Sequence, residues 1–322
     1  MRILPPEIET LSYGMRLANG LIIFHRRNHM RGVLVMKQIE LPMKVHAAKL
    51  EYRRRLLEEL PHGHFRFRRK PTVVITFDPE NPKFTGRNPR FLFVHTKLGQ
   101  KYSELIHKYK RIKAEYDSLL KSWNETYCFA PPRVKLPLTN AYNPHKMNNE
   151  YFNNQKDYQG RYSAENPAVS DDGIFKSKNE LIASDALKEM EIPFKYETKL
   201  YIAEANETIN PDYLLDFYEI DRCSYLEVLG MNDKFSYAAS TTVKISSYSI
   251  GKYRPGRDVI YIHLYDKYNF DKAYFIQMVW AAYDCLIPND ALEWGEDYKH
   301  LQLSSSDESC GYTTLKHKKA SA

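Results

Sequence analysis

Two short apolar segments, each carrying one acidic residue, follow each other closely in the second half of the chain. Residues 209–220 contain Asp212, and residues 224–229 contain Glu227 between apolar neighbours. Their branched and aromatic residues predict two strands joined by a turn at 221–222. A hairpin of this kind places the two carboxylates at similar heights on neighbouring strands. The rest of the fold must therefore accommodate a pair of acids within or beside a sheet.

Paired carboxylates in a partly buried place repel each other, and a bound cation relieves that cost. Oxygen ligands of this kind suit Mg²⁺ or Mn²⁺ rather than zinc. Such a cation lowers the pKa of a bound water and polarises a phosphodiester. Glu180 adds a third acid on the preceding predicted helix, where it could reach the cation through a water or orient the nucleophile. Forty acidic residues also produce chance pairs, so the spacing alone leaves a metal site open.

Helices and strands alternate around this hairpin. The predicted elements are, in order, a helix (177–190), a strand (194–202), the two acid-bearing strands, a helix (235–250), a strand (259–264) and a helix (270–286). This order predicts an α/β fold of the α+β kind, in which helices flank a mixed sheet.

The front of the chain is predicted to be a separate, basic α+β region over residues 1–123. Its predicted elements are strands at 20–25, 31–40, 64–68, 73–77 and 91–95 and helices at 43–60 and 100–123. Residues 124–173, rich in Pro, Asn and Tyr, are interpreted as an irregular connection that contains the domain boundary. A second domain is expected over 174–302, followed by a disordered polar tail at 303–322.

Charge is distributed unevenly along the chain. Residues 1–135 hold 27 Lys and Arg against 12 Asp and Glu, whereas the remainder holds 20 against 28. A basic front half suits contact with a polyanion, most simply nucleic acid, although a solvated basic surface is the alternative. Within it, a basic and aromatic strand could follow a phosphate backbone or could be an edge strand kept soluble by its charges. Its candidate nucleic-acid-binding residues are Arg66, Arg68, Arg69 and Lys70.

The compartment is predicted from what the sequence lacks. It contains no apolar run long enough to cross a bilayer, and its first residues show no signal-peptide pattern. The four cysteines are scattered without metal-ligand spacing, which is typical of reduced thiols. We therefore expect a cytoplasmic protein without a membrane partner.

Several short motifs occur in a fixed order between residues 174 and 264. They are Ser177-Lys-x-Glu180, Ile192-Pro-Phe-x-Tyr-Glu197, Asn210-Pro-Asp-Tyr213, Tyr225-Leu-Glu-Val-Leu-Gly-Met231, Lys244-Ile-x-x-Tyr248 and Pro255-Gly-x-x-Val-Ile260. Together they resemble the core of a PD-(D/E)XK nuclease-like domain of bacteria and phages. The resemblance implies a restriction-endonuclease-like fold and hydrolysis of phosphodiester bonds, with DNA favoured over RNA as the substrate.

The resemblance also implies roles for particular residues. Asp212 and Glu227 would bind Mg²⁺ or Mn²⁺ together with the main-chain carbonyl of Val228, and Glu180 would be the helix acid. The superfamily usually has a lysine two residues after the second acid, where this chain has Leu229. That lysine positions the attacking water or stabilises charge in the transition state.

Two other lysines are candidates for the missing role. Lys244 lies on the predicted helix that would cross the sheet, although a solvent-facing lysine is the alternative reading. Lys178, in the Ser-Lys-x-Glu motif, is the second candidate and could instead contact a phosphate.

The absence of the usual lysine keeps two further functions open. One is a nuclease-derived module that binds nucleic acid without cleaving it. The other is a phage or host interaction protein that uses the amphipathic helix at 100–123. Nucleases of this kind often act as dimers when they cut both strands, so a homodimer is a further expectation.

Overall fold

The structure, a computed structural model, describes most of the chain between residues 41 and 296. The described segments are 41–67, 70–76, 90–138, 143–157, 168–170, 173–230, 235–264 and 270–296, with the backbone of 16–18 and 21–23. The predicted strand at 31–40, Arg68, Arg69 and the predicted tail at 303–322 lie outside them.

The described residues form six α-helices and fifteen short strands. The helices are α1 Met43–Glu59, α2 Lys97–Thr126, α3 Asn149–Asn154, α4 Lys178–Glu189, α5 Phe235–Ile250 and α6 Lys272–Leu286. The strands are β1 Arg16–Ala18, β2 Leu21–Ile23, β3 His62–Arg66, β4 Thr72–Thr76, β5 Arg90–Phe93, β6 Arg133–Val134, β7 Ala168–Ser170, β8 Gly173–Phe175, β9 Phe194–Tyr196, β10 Leu200–Ile202, β11 Glu207–Ile209, β12 Tyr213–Phe217, β13 Arg222–Leu229, β14 Val259–His263 and β15 Leu292–Glu293.

A four-stranded mixed sheet in the order β14-β13-β12-β9 forms the centre of the second half of the chain. β12 is antiparallel to both β13 and β9, whereas β13 and β14 run parallel with α5 as their crossover. The predicted α+β class and the mixed sheet are confirmed. Helix α5 has the predicted bounds, and α4, α6 and β14 differ from prediction by one or two residues at their ends.

The central strands are apolar on both faces because helices cover both. Every residue of β12 and β13 is buried. Leu215 and Leu226 belong to a core cluster that includes residues of α1, α4 and α6. Leu214 and Tyr225 point the other way, into a second cluster with Tyr248 of α5 and with α3. Each strand therefore brings alternate residues to opposite helical layers.

Two predicted strands are wrong in their extent. The segment 194–202 is divided between β9 and β10, which belong to different sheets, because Glu197 has a left-handed φ of 48° that interrupts the extended chain. The segment 209–220 is not one strand. It contains the last residue of β11, then the whole of β12, and it ends with a 3-10 turn at Tyr218–Ile220. Asp221, with φ 56°, completes that turn, so β13 already begins at Arg222.

The front half contributes to the core beneath the central sheet. Val45 and Leu50 of α1, Trp123 of α2 and Val134 of β6 are buried in the same apolar cluster as the central strands. Residues 124–173, expected to be irregular, also supply α3, β7 and β6, and β6 pairs with β15 near the other end of the described chain. The division into domains at 1–123 and 174–302 stays a prediction about folding units, but the packing is continuous across it.

A smaller sheet in the order β3-β4-β5 packs on α2. Val73 and Ile75 of β4 are buried against Ile106 of α2. The approach is close at Gly63, where a Cβ atom would lie 2.5 Å from Cδ1 of Ile106 and 2.6 Å from the carbonyl oxygen of Val74. Any larger residue at this position would push the helix away from the sheet.

None of the described helices combines the length and the apolar character that a bilayer span requires.

Candidate active site

The two strand acids lie side by side at one end of the central sheet. The antiparallel register pairs Tyr213 with Leu226, so one step further along both strands Asp212 faces Glu227. Both side chains lie on the face that α5 covers, since residues two apart on a strand share a face and Tyr225 packs against that helix. The structure thus brings together the two acids that the sequence singled out.

Asp212 is held in place by the neighbouring strand. Its Oδ2 atom accepts a hydrogen bond of 2.8 Å from the backbone N–H of Val228. The N–H and C=O groups of one strand residue point to the same side, so the Val228 carbonyl also faces Asp212. β12 begins only after Asp212, so this carbonyl lies beyond the paired part of the strand.

Lys244 reaches both acids from α5. Its Nζ atom lies 2.5 Å from Oε2 of Glu227 and 3.6 Å from Oδ1 of Asp212. Only 24% of its side chain is exposed, so the lysine is directed into the site rather than towards solvent. Helical spacing explains the direction, because Tyr248 lies one turn later on the same face and is fully buried.

Glu227 is buried among polar partners. Its Oε1 accepts a hydrogen bond of 2.6 Å from the hydroxyl of Tyr248, and its Oε2 contacts Lys244. Burial, followed by the charge of Asp212, raises the pKa of the Glu227 carboxyl to about 8. Burial alone would lower the pKa of Lys244, but Asp212 and Glu227 outweigh it and raise that pKa above its usual range. At neutral pH the Glu227 carboxyl therefore keeps its proton unless a further positive charge enters the site.

Glu180 occupies the first turn of α4 through reciprocal capping. The Ser177 hydroxyl accepts from the Glu180 backbone N–H at 3.2 Å and donates to Glu180 Oε1 at 2.9 Å. The hydroxyl of Tyr196 donates to Oε2 of the same carboxyl group. Burial, followed by the charge of Asp212, raises the pKa of Glu180 to about 7. Glu180 thus belongs electrostatically to the same site as Asp212.

Three residues of the site had been quoted in the motifs without a role. Tyr248 and Tyr196 donate to the carboxyl groups of Glu227 and Glu180. Glu197 is 1% exposed, pairs with Lys176 and donates its backbone N–H to the Asp212 carbonyl at 3.0 Å. Their presence in the motifs was the available signal.

The other candidates lie elsewhere. Lys178 is exposed at the start of α4, and Arg66 and Lys70 belong to the smaller sheet region. Asp216 is buried four residues after Asp212, and burial, followed by the charge of Glu219, raises its pKa to about 7. Glu219 is held by Lys49 and Tyr283 at 3.0 Å each.

The oxygen atoms around Lys244 fit a hard cation. Within the described ranges, no cluster of three or more His, Cys, Asp or Glu side chains forms a metal site. The donors are therefore two carboxylates, from Asp212 and Glu227, and the Val228 carbonyl. Oδ1 of Asp212 belongs to a side chain that is 19% exposed, and the pKa of Glu227 is raised first by burial and second by the charge of Asp212. Carboxyl and carbonyl oxygens are the hard donors that suit Mg²⁺ or Mn²⁺.

Comparisons with protein families, with curated proteins and with solved structures find no match to this chain. The resemblance to PD-(D/E)XK nucleases consequently depends on the motif residues themselves.

Proposed function

We propose that the chain is a PD-(D/E)XK-type nuclease that hydrolyses phosphodiester bonds, preferentially in DNA, with Mg²⁺ or Mn²⁺. The observation that supports this most directly is the contact of Lys244 with both strand acids. Leu229 occupies the usual lysine position, and Lys244 supplies an ammonium to the same pair of acids from the neighbouring helix. An ammonium beside the acids that would hold the cation lies close to where negative charge would develop on a bound phosphate.

In the proposed reaction, the oxygen of a water molecule bonds to phosphorus and one ester P–O bond breaks. The water gives up a proton, and the leaving oxygen takes one from solvent. Glu180, ionised above about pH 7, orients the water or accepts its proton. Lys244 stays charged and stabilises the negative charge that grows on the phosphate oxygens. Asp212, Glu227 and the Val228 carbonyl would hold the cation, which supplies polarisation of the phosphate and a lowered pKa of water.

Cleavage assays with purified full-length protein test the proposal. Single-stranded, duplex and plasmid DNA, together with RNA, are incubated with Mg²⁺ or Mn²⁺ and with EDTA. We expect cation-dependent cleavage that falls at least about a hundredfold in Asp212→Asn and in Glu227→Gln. Cleavage of circular plasmid would identify an endonuclease, and the dependence of double-strand cleavage on protein concentration would report a homodimer.

A matched control is available on the same strand. Asp216→Asn removes another buried acid of β12 but lies away from Lys244. It should cleave like the wild type. Absence of cleavage of every substrate with either cation, or an equal loss in Asp216→Asn and Asp212→Asn, would count against the proposed site.

The contact of Lys244 also supports a second candidate, a nuclease-derived module that binds nucleic acid without cleaving it. In that case the ammonium replaces the cation permanently as the partner of Glu227 and Asp212. Calorimetric titration with Mn²⁺ separates the two. Heat of binding that disappears in Asp212→Asn favours the nuclease, and no binding at millimolar Mn²⁺ favours the module.

A further inference from the structure

The smaller sheet has one face covered by α2, and its opposite face, which we call the open face, presents exposed side chains of the described strands around the buried Val74. Phe65 of β3 and Leu92 of β5 point towards the helix, where they pack on the cluster around Ile106. The alternate residues therefore point outward, among them Phe91 and Phe93, whose exposed fractions are 54% and 46%. Two large aromatic side chains exposed next to each other on one sheet face form an apolar patch of the kind that marks binding sites.

Cationic side chains lie directly on these rings. The guanidinium of Arg66 is 5.2 Å from the ring centre of Phe91, and the ammonium of Lys70 is 5.9 Å from that of Phe93. His95 stacks on Phe93 with ring centres 5.6 Å apart and an interplanar angle of 24°. The open face thus carries flat rings with positive charges placed beside them.

The charge of this region is of one sign. Residues 61–76 and 90–96, which contain the three strands, include five Lys and Arg but no Asp or Glu. A partner protein with an apolar surface would not need these cations. Their positive charge instead complements the phosphates of a polyanion. Nucleic acid is the polyanion that also offers flat rings. Its bases are free to stack on protein rings only where they are not already stacked within a duplex.

We propose that the open face of the β3-β4-β5 sheet is a binding platform for single-stranded nucleic acid. Bases replace Arg66 and Lys70 over the rings of Phe91 and Phe93, and the two cations turn to the phosphates between the bases. Binding at this platform requires neither the acids of the candidate active site nor a divalent cation, so it can be measured independently of cleavage.

The test is fluorescence anisotropy of full-length protein with a labelled dT oligonucleotide and a labelled rU oligonucleotide, in EDTA at low salt. Wild type should bind at least one of the two. Phe91→Ala/Phe93→Ala should weaken binding by about tenfold per ring, and Phe91→Trp/Phe93→Trp should restore it. Arg66→Gln should weaken binding and flatten its dependence on salt. The two labels distinguish DNA from RNA as the source of the bases.

Tyr201→Ala/Ile250→Ala is the matched control, since both residues are large, apolar and more than half exposed elsewhere in the chain. It should bind like the wild type. Equal affinity in the Phe91→Ala/Phe93→Ala variant and the wild type, with both folded by circular dichroism, would overturn the platform. So would equal competition by an unlabelled duplex of the same length, which would indicate contact with phosphates alone. An absence of wild-type binding in EDTA would overturn it as well.

Discussion

The ammonium of Lys244 lies 2.5 Å from Oε2 of Glu227, a carboxyl group that is 1% exposed. A cation that used this oxygen atom would have to share it with the ammonium or displace it. The same contact therefore has two opposite effects in the proposed nuclease. Lys244 stabilises charge on the phosphate, and it competes with the metal for Glu227.

Replacement of Lys244 with Met should separate these two effects. We expect cleavage to fall by two to three orders of magnitude, because charge on the phosphate oxygens loses its ammonium partner. Mn²⁺ should bind more tightly, because one positive charge has left the site. Single-turnover cleavage and calorimetric titration of the same preparations measure the two quantities.

The control for this variant is Lys252→Met, which removes an exposed lysine just after α5. It should change neither quantity. Lys244→Arg keeps the charge and should retain more activity than the Met variant. Loss of both cleavage and Mn²⁺ binding in Lys244→Met, with the fold intact, would contradict the competition between lysine and cation.

The raised pKa of Glu227 predicts how stability depends on pH. The folded protein holds a proton on this carboxyl up to about pH 8, whereas the unfolded chain releases it near the ordinary value of 4.5. Between these values the folded state binds more protons, so Glu227 makes the free energy of unfolding decrease as pH rises. Lys244, with a raised pKa, stays charged throughout this window.

Glu227→Gln should consequently flatten the pH dependence of stability between pH 5 and 8. The difference in slope should approach about 1.4 kcal/mol per pH unit, the value for one proton. Urea unfolding at several pH values without divalent cations measures it. Glu189→Gln, an exposed acid on α4, should leave the slope unchanged. An unchanged slope in Glu227→Gln would mean that the carboxyl is already ionised in the folded protein at neutral pH.

The hydroxyl of Tyr248 should set the pH range of activity through Glu227. Tyr248→Phe removes the hydrogen bond to Oε1 of a buried carboxyl group, which favours its protonated form and raises its pKa further. We expect cleavage at pH 7 to fall about tenfold and the rising limb of the pH–rate profile to move to higher pH. Destabilisation of about 1–3 kcal/mol should accompany it.

Tyr225→Phe is the comparison for Tyr248→Phe. Its hydroxyl is bonded to Tyr151 on the same face of the sheet, so the variant loses a buried hydrogen bond that does not involve Glu227. Stability should fall in both variants, but only Tyr248→Phe should shift the pH–rate profile. If the pH–rate profile of Tyr248→Phe is not shifted, this tyrosine contributes to packing and does not set the pKa of Glu227.

Local sequence patterns were sufficient for the elements and the pair of acids. The apolar spacing of α5 and α6 and the apolar runs of β13 and β14 reflect burial that any sheet flanked by helices imposes, so their positions could be predicted. The break at Glu197 could not, because its left-handed conformation accompanies a backbone hydrogen bond to Asp212, fifteen residues later. The direction of Lys244 likewise depends on how α5 crosses the sheet, which no local pattern specifies.

The packing of α1 under the sheet could not be predicted from the sequence either. It depends on an ion pair between residues that are far apart in the chain. Lys49 of α1 donates to Oε1 of buried Glu219 at 3.0 Å, and Tyr283 of α6 donates to Oε2 at 3.0 Å. Burial opposes the ionised form, but Lys49 and Arg53 hold the pKa of Glu219 below its usual range. Glu219 therefore stays ionised because Lys49 and Arg53 of α1 lie beside it, and this ion pairing connects α1 to the second half of the chain.

Lys49→Met should destabilise the protein by about 3 kcal/mol or more, because it leaves Glu219 buried with its nearest cation removed. Lys49→Met/Glu219→Leu should recover most of that loss, since the two changes together remove the buried carboxylate as well as its nearest cation, and Arg53 keeps Glu115 as a partner. Thermal unfolding followed by circular dichroism and by tryptophan fluorescence measures both. If α1 folds with the central sheet, the probes should report one shared transition that moves in each variant. Two transitions, of which only one responds to Lys49→Met, would instead support separate folding units at 1–123 and 174–302 despite the continuous core.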